Sequence, residues 1–168
     1  MKRAKILGLI LTILLVASQV FAAGTVALAK VQKFPTDSNA AMIVLWYTCT
    51  SDASAGTLPA KQITAADVGM NYYSQGYVLA NAATISSASV QPTTGVAVTL
   101  TDADGVQLIG SGCGDTLTPS TSASGIGYYS SSRSASQREV AKILTIGAIS
   151  SSIGNSKVYT LRLVFIRL

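Results

Sequence analysis

The stretch Val96–Cys113, VAVTLTDADGVQLIGSGC, constrains the fold more than any other part of the chain. Val96, Val98 and Leu100 alternate with Ala97, Thr99 and Thr101, the two-residue period of a half-buried strand. Asp102-Ala103-Asp104-Gly105 then supplies turn chemistry, because Asp carboxylates bond nearby backbone N–H groups and Gly tolerates positive φ. Val106, Leu108 and Ile109 are expected to return to the core, and Gly110, Gly112 and Gly114 surround Cys113. The rest of the chain reads as strands assembled around this unit.

Met42–Thr50, MIVLWYTCT, is the strongest strand signal. It is apolar on both faces, which places it inside a sheet rather than at an edge. Trp46, the only Trp, is expected to anchor the core. Thr25–Phe34 reads as a strand broken by Pro35-Thr36-Asp37-Ser38-Asn39. Tyr77–Ile85, Val140–Ile149 and Lys157–Leu168 read as further strands. In the last, Tyr159, Leu161, Leu163 and Phe165 share a face that should meet the core, with Thr160 and Arg162 on the other. Thr64-Ala65-Ala66-Asp67 resembles a capping box with Asp in place of Glu, and predicts one helical turn over Thr64–Met70. Ser51–Gly56, Ser150–Ser156 and the long Ser/Thr/Gly-rich Leu117–Ser136 read as loops. Strands joined by polar turns, with almost no helical periodicity, predict an all-β fold. It is read as an antiparallel β-sandwich of about 6–8 strands, preferred over an open barrel.

Met1-Lys2-Arg3-Ala4-Lys5, the apolar run Ile6–Val16 and the exit Val20-Phe21-Ala22 have the pattern of a secretory signal peptide. The apolar run is short for a membrane span of about 20 residues. The expected organisation is therefore a signal peptide over 1–22, cleaved after Ala22 or Ala23, and one β-sandwich domain over 23–168. The product would be exported: periplasmic, cell-surface or extracellular. It would touch a membrane only through an uncleaved leader. With the leader go three of the twelve basic residues, and the formal charge falls from +5 to +2. The remaining Lys and Arg are scattered, so a nucleic-acid partner is not indicated. An exported chain with an even cysteine count favours a disulfide between Cys49 and Cys113, against two separate buried thiols.

Trp46, the turn Thr50-Ser51-Asp52-Ala53-Ser54 with Gly56, Tyr77-Val78, Pro92, the unit Val98–Val106 with Leu108 and Gly110, and a terminal pair of strands follow one another in an order. That order resembles small β-sandwich proteins encoded among phage and prophage structural genes. The resemblance covers Ile43 to Ile166. It implies a structural or accessory role and no catalytic residues. The leader and the cysteine pair depart from that family's pattern and favour an exported protein on the same fold.

Enzyme chemistry finds few parts. The chain has no His, so Ser-His-Asp and Cys-His devices lack their proton shuttle. The single Glu, Glu139, lies beside Arg138 and Lys142, where a surface ion pair is the simpler reading. No cofactor is expected, and two thiols without His do not complete a zinc site. Asp102 and Asp104, with Asp52 or Asp115, are hard-oxygen candidates for Ca²⁺; an Asp-rich turn capping its own backbone is the preferred alternative. Tyr72, Tyr73, Tyr77, Tyr128 and Tyr129 are candidates for an aromatic binding surface, against ordinary packing with a wet hydroxyl. The expected function is a non-enzymatic structural protein that assembles on a surface, in a filament or in a virion-like particle, its partner being itself or another structural protein. The alternative is a monomeric module that binds a glycan or protein through Tyr-bearing loops.

Overall fold

The computed structural model describes residues 23–35, 40–73, 75–86, 90–92, 97–109, 123–127 and 140–168, with 123–127 as backbone. Residues 1–22, expected to be a leader, and Cys113, Asp115, Tyr128, Tyr129 and Glu139 lie outside the described residues. The fold is all-β, as the alternation predicts. The described strands are β1 (Thr25–Phe34), β2 (Met42–Thr50), β3 (Lys61–Ile63), β4 (Tyr77–Ile85), β5 (Leu100–Asp102), β6 (Gln107–Ile109), β7 (Ala123–Gly127), β8 (Leu144–Ile146) and β9 (Val158–Arg167). These nine are one more than the expected range.

They form two antiparallel sheets, one in the order β1-β2-β9-β4-β7 and one in the order β3-β8-β5-β6. The long sheet is built on β2 and β9, paired over their whole length from Met42↔Ile166 to Thr50↔Val158. On its inner face Val31, Leu45, Leu163 and Ala82 stand in one cross-strand row. The short sheet offers Ile63, Leu100, Ile109, Leu144 and Ile146 to the same core cluster. Tyr159, Leu161, Leu163 and Phe165 are all buried, while Thr160, Arg162, Val164 and Ile166 are half-buried on the other side. A two-residue period therefore fixes which face of β9 is core.

The predicted helical turn is present as α1 (Ala65–Val68). Thr64 Oγ1 accepts from Asp67 N at 3.1 Å, and Asp67 Oδ2 accepts from Thr64 N at 2.9 Å. Asp thus closes the capping box as Glu would, its shorter side chain still reaching back to the N-cap amide.

Several expectations are corrected. The Val96–Cys113 unit is not the organising centre. Its hairpin, β5–β6, stands at one end of the short sheet with β6 as the edge strand, because three-residue strands contribute too little pairing to lead a fold. Val106 is 57% exposed at the hairpin tip rather than in the core. Trp46 stands on the outer face of the long sheet, since Ile43, Leu45, Tyr47 and Cys49 take the inner positions of β2. The Ser/Gly-rich segment 117–136, read as a loop, contains β7, which pairs with β4 from Asn81↔Gly127 to Ile85↔Ala123. The Val140–Ile149 strand is confined to Leu144–Ile146 and an isolated bridge from Ile149 to Leu58.

Candidate functional site

Four groups of residues carry chemistry, and the fold scatters them. The first is the outer face of the long sheet. Lys30, Trp46, Arg162 and Ala83 form one row across β1, β2, β9 and β4. The Lys30 ammonium lies 5.1 Å from the centre of the Trp46 ring, within cation–π range. Arg162 Nη2 donates to Asn81 Oδ1 at 3.1 Å. The next two rows bring Val44 beside Val164, and Phe34, Met42, Ile166 and Val78 side by side, with Phe34 46% exposed. The strands of this sheet contain Lys30, Lys33, Arg162 and Arg167 but no Asp or Glu. Three of the chain's acids lie elsewhere: Asp67 in α1, and Asp102 and Asp104 in the β5–β6 hairpin.

The second group is the tyrosines. Tyr72 and Tyr77 are fully buried, which corrects the reading of them as binding-surface residues. The Tyr72 hydroxyl donates to Ile63 O at 2.9 Å and accepts from Leu144 N at 3.1 Å, closing the end of the β3–β8 ladder. Its ring meets Phe165 of the opposite sheet at 6.0 Å and Tyr73 edge-on at 5.5 Å. Burial pushes the Tyr72 hydroxyl up to about 12. Tyr77 donates to Ala40 O. Tyr73 is only half-buried, and it packs against the core. The Tyr residues after helix α1 thus stitch the sheets together, because their rings are the largest apolar groups available there.

The third group is the acidic turns. Asp102 Oδ1 accepts from Asp104 N and Val106 N, both at 2.9 Å, while Gly105 takes φ +80°. The carboxylate is spent on its own turn. Asp104 pairs instead with Lys142 at 2.5 Å, and this hydrogen bond raises the pKa of the lysine. Lys142 thus answers to Asp104 across the hairpin, where the sequence suggested Glu139. Asp52 Oδ1 accepts from Ser54 N, Ser54 Oγ and Ala55 N at 2.6–2.7 Å. The Ala55 amide and the Ser54 groups hold that carboxyl below the usual range. Among the described residues, no group of three or more His, Cys, Asp or Glu is placed to hold a metal ion.

The fourth is Cys49. It is a free thiol in this structure, fully buried on the inner face of β2, and its expected disulfide partner Cys113 lies outside the described residues. Burial pushes it up to about 12, against the opposing effect of its hydrogen bond to Tyr159. Nearby, the buried Tyr47 hydroxyl has no hydrogen-bond partner among the described residues.

The Lys30–Trp46–Arg162 row was invisible to sequence reading. Its members are far apart in the chain, and only register brings them together. The one usable signal was that β2 is apolar on both faces, so that Trp46 had an outer face to occupy. No family model matches this chain, and no curated protein or solved structure matches it.

Proposed function

We propose that this chain is an exported, non-enzymatic structural protein that assembles head to tail into a surface, filament or virion-like array. The observation that carries the reading is the separation of charge between the two layers. The strands of the long sheet contain four cations and no acid; two of the cations, Lys30 and Arg162, share its outer face, while Lys33 stands at an inner position and donates to Gly69 O. Asp67, Asp102 and Asp104 lie with the short sheet, two of them already shared with Lys61 and Lys142. Stacking two long sheets face to face would set Lys30 and Arg162 of one copy against those of the next. Like charges facing each other across an interface disfavour that arrangement. Docking the cationic face on the acidic side of another copy puts unlike charges together. Such a heterologous contact does not close on itself and gives open chains. The apolar row of Phe34, Met42, Ile166 and Val78 supplies area to bury. The leader, the resemblance to phage-encoded sandwiches and the absence of any His from the sequence support the same reading.

The second reading is a binding module for a glycan. The half-buried Trp46, set between Lys30 and Arg162 on a sheet face, favours it, and moves the binding surface from the Tyr-bearing loops to the sheet. Electron microscopy of residues 23–168 separates the two. Ordered arrays are expected; dispersed monomers retained on a glycan array would overturn the first reading for the second.

A further inference from the structure

We propose that the cationic face of one copy receives the β5–β6 hairpin tip of the next, with Asp104 meeting Lys30 and Val106 resting beside Trp46. This rests on the assembly reading and names its acidic partner surface. Among the described residues the acids are Asp52, Asp67, Asp102 and Asp104. Three of them are committed to backbone. Asp52 Oδ1 accepts from Ser54 N and Ala55 N, Asp67 Oδ2 from Thr64 N, and Asp102 Oδ1 from Asp104 N and Val106 N. The Asp104 carboxylate instead stands 55% exposed beside the Lys142 ammonium, itself 49% exposed, and among the described residues it holds no backbone amide. A pair this open to water is weak, so its carboxylate can be shared with an incoming cation.

The tip projects and is rigid. Ala103, Asp104, Gly105 and Val106 are all exposed. Asp102 N donates to Val106 O and Gly105 N to Asp102 O, both at 3.0 Å, and the Asp102 carboxylate locks the same turn from its side chain. Docking a preformed turn costs little ordering entropy. The receiving row is preformed as well. The Lys30 ammonium is held over the Trp46 ring, and Asn81 fixes the Arg162 guanidinium. The tip carries two carboxylates against one ammonium, and the face carries two cations, so the contact joins unlike net charge. Val106 brings an exposed apolar group to the indole at the same time. Face and tip belong to different sheets, so each contact uses one of each and leaves every copy a second surface for its next neighbour.

The test mixes ordinary and heavy-nitrogen-labelled copies of residues 23–168 at low ionic strength and treats them with a water-soluble carbodiimide, which joins an amine to a carboxylate it already touches. Mass spectrometry should find Lys30 of one copy joined to Asp104 of another. Lys30→Glu and Asp104→Lys should each raise the concentration at which large species form by at least about tenfold, as expected for the loss of one close charge pair. Asp102 holds the turn, so Asp104→Lys should melt like wild type. Combining the two substitutions in one chain reverses both charges and should restore assembly. Wild-type arrays in which Lys30 joins a different acid would overturn the proposal and leave assembly standing. So would a doubly reversed chain that keeps the wild-type melting temperature yet stays dispersed. A wild-type chain that never associates is a different result. It would remove the assembly reading, and this proposal with it.

Discussion

Replacing Tyr72 with Phe removes one oxygen and leaves the ring in place, so its effect isolates the polar link between β3 and β8. The ring contacts with Phe165 and Tyr73 survive. What is lost is the donation to Ile63 O and the bond accepted from Leu144 N, both buried. Each backbone group left unpaired in a dry site costs about 1–3 kcal/mol. The two share one site and relax partly together, so a total of about 2–4 kcal/mol is expected for Tyr72→Phe. In a domain of this size that is roughly a 5–15 °C drop in melting temperature. Urea unfolding of residues 23–168 should show the midpoint falling with the slope unchanged, since the surface exposed on unfolding stays the same. Hydrogen exchange should localise the damage to the Leu144 amide. A loss below about 0.5 kcal/mol, the size of an ordinary surface change, with Leu144 still protected, would refute the bridging role.

Three further expectations follow from named contacts. Leu163→Ala should cost about 3–4 kcal/mol: about 2.4 for three lost carbons, plus a cavity that its sheet neighbours Leu45 and Ala82 cannot collapse into. Half-buried Thr160→Ala should cost under about 1 kcal/mol, and equal losses at both sites would mean the inner face of β9 is misassigned. Partial burial pushes the Asp67 carboxyl up, but bonds from the Thr64 amide and hydroxyl and from Lys61 outweigh it and hold the pKa below the usual value. A depressed carboxyl stabilises the fold above its unfolded pKa of about 3.9, and that stabilisation is lost as pH falls through the lower folded value. The stability gap between wild type and Asp67→Asn should therefore shrink in acid, and a constant gap down to pH about 2 would contradict the capping box. Cys49, fully buried and with its pKa pushed up to about 12, should resist iodoacetamide in the native protein and react in unreduced denaturant. Native-state labelling would overturn its burial, and no labelling in denaturant would establish a bond to Cys113 instead.

The parts legible in the sequence were those whose period runs long enough to name a face. β1, β2, β4 and β9 are nine or ten residues each, long enough to read as strands although β1 and β4 are interrupted by register shifts and β2 is apolar on both faces; in β9 the alternation runs almost its whole length. The capping box was legible because its chemistry is local. β3, β5, β6 and β8 are three residues each, too short for a period, and they exist because partners across the sheet hold them. β7 lies in a Ser/Gly-rich stretch with no strand propensity, and pairing with β4 overrides composition there. Trp46 was misplaced for a different reason. A strand apolar on both faces does not say which face is core, and a lone Trp carries no tie-breaker. Tyr72 and Tyr73 lie outside any strand, so their burial was set by a tertiary pocket beneath Phe165 rather than by any local pattern.

Light scattering across a salt series distinguishes head-to-tail assembly through unlike charges from a monomeric chain. A chain of residues 23–168 should form large species at low ionic strength. These should dissociate as salt rises and the screening length falls to about 10 Å at 0.1 M and below. Lys30→Glu, at an exposed position over Trp46, should stay monomeric throughout and melt like wild type. A wild-type protein that is monomeric at every salt concentration, or a Lys30→Glu variant that assembles as readily, would contradict the account.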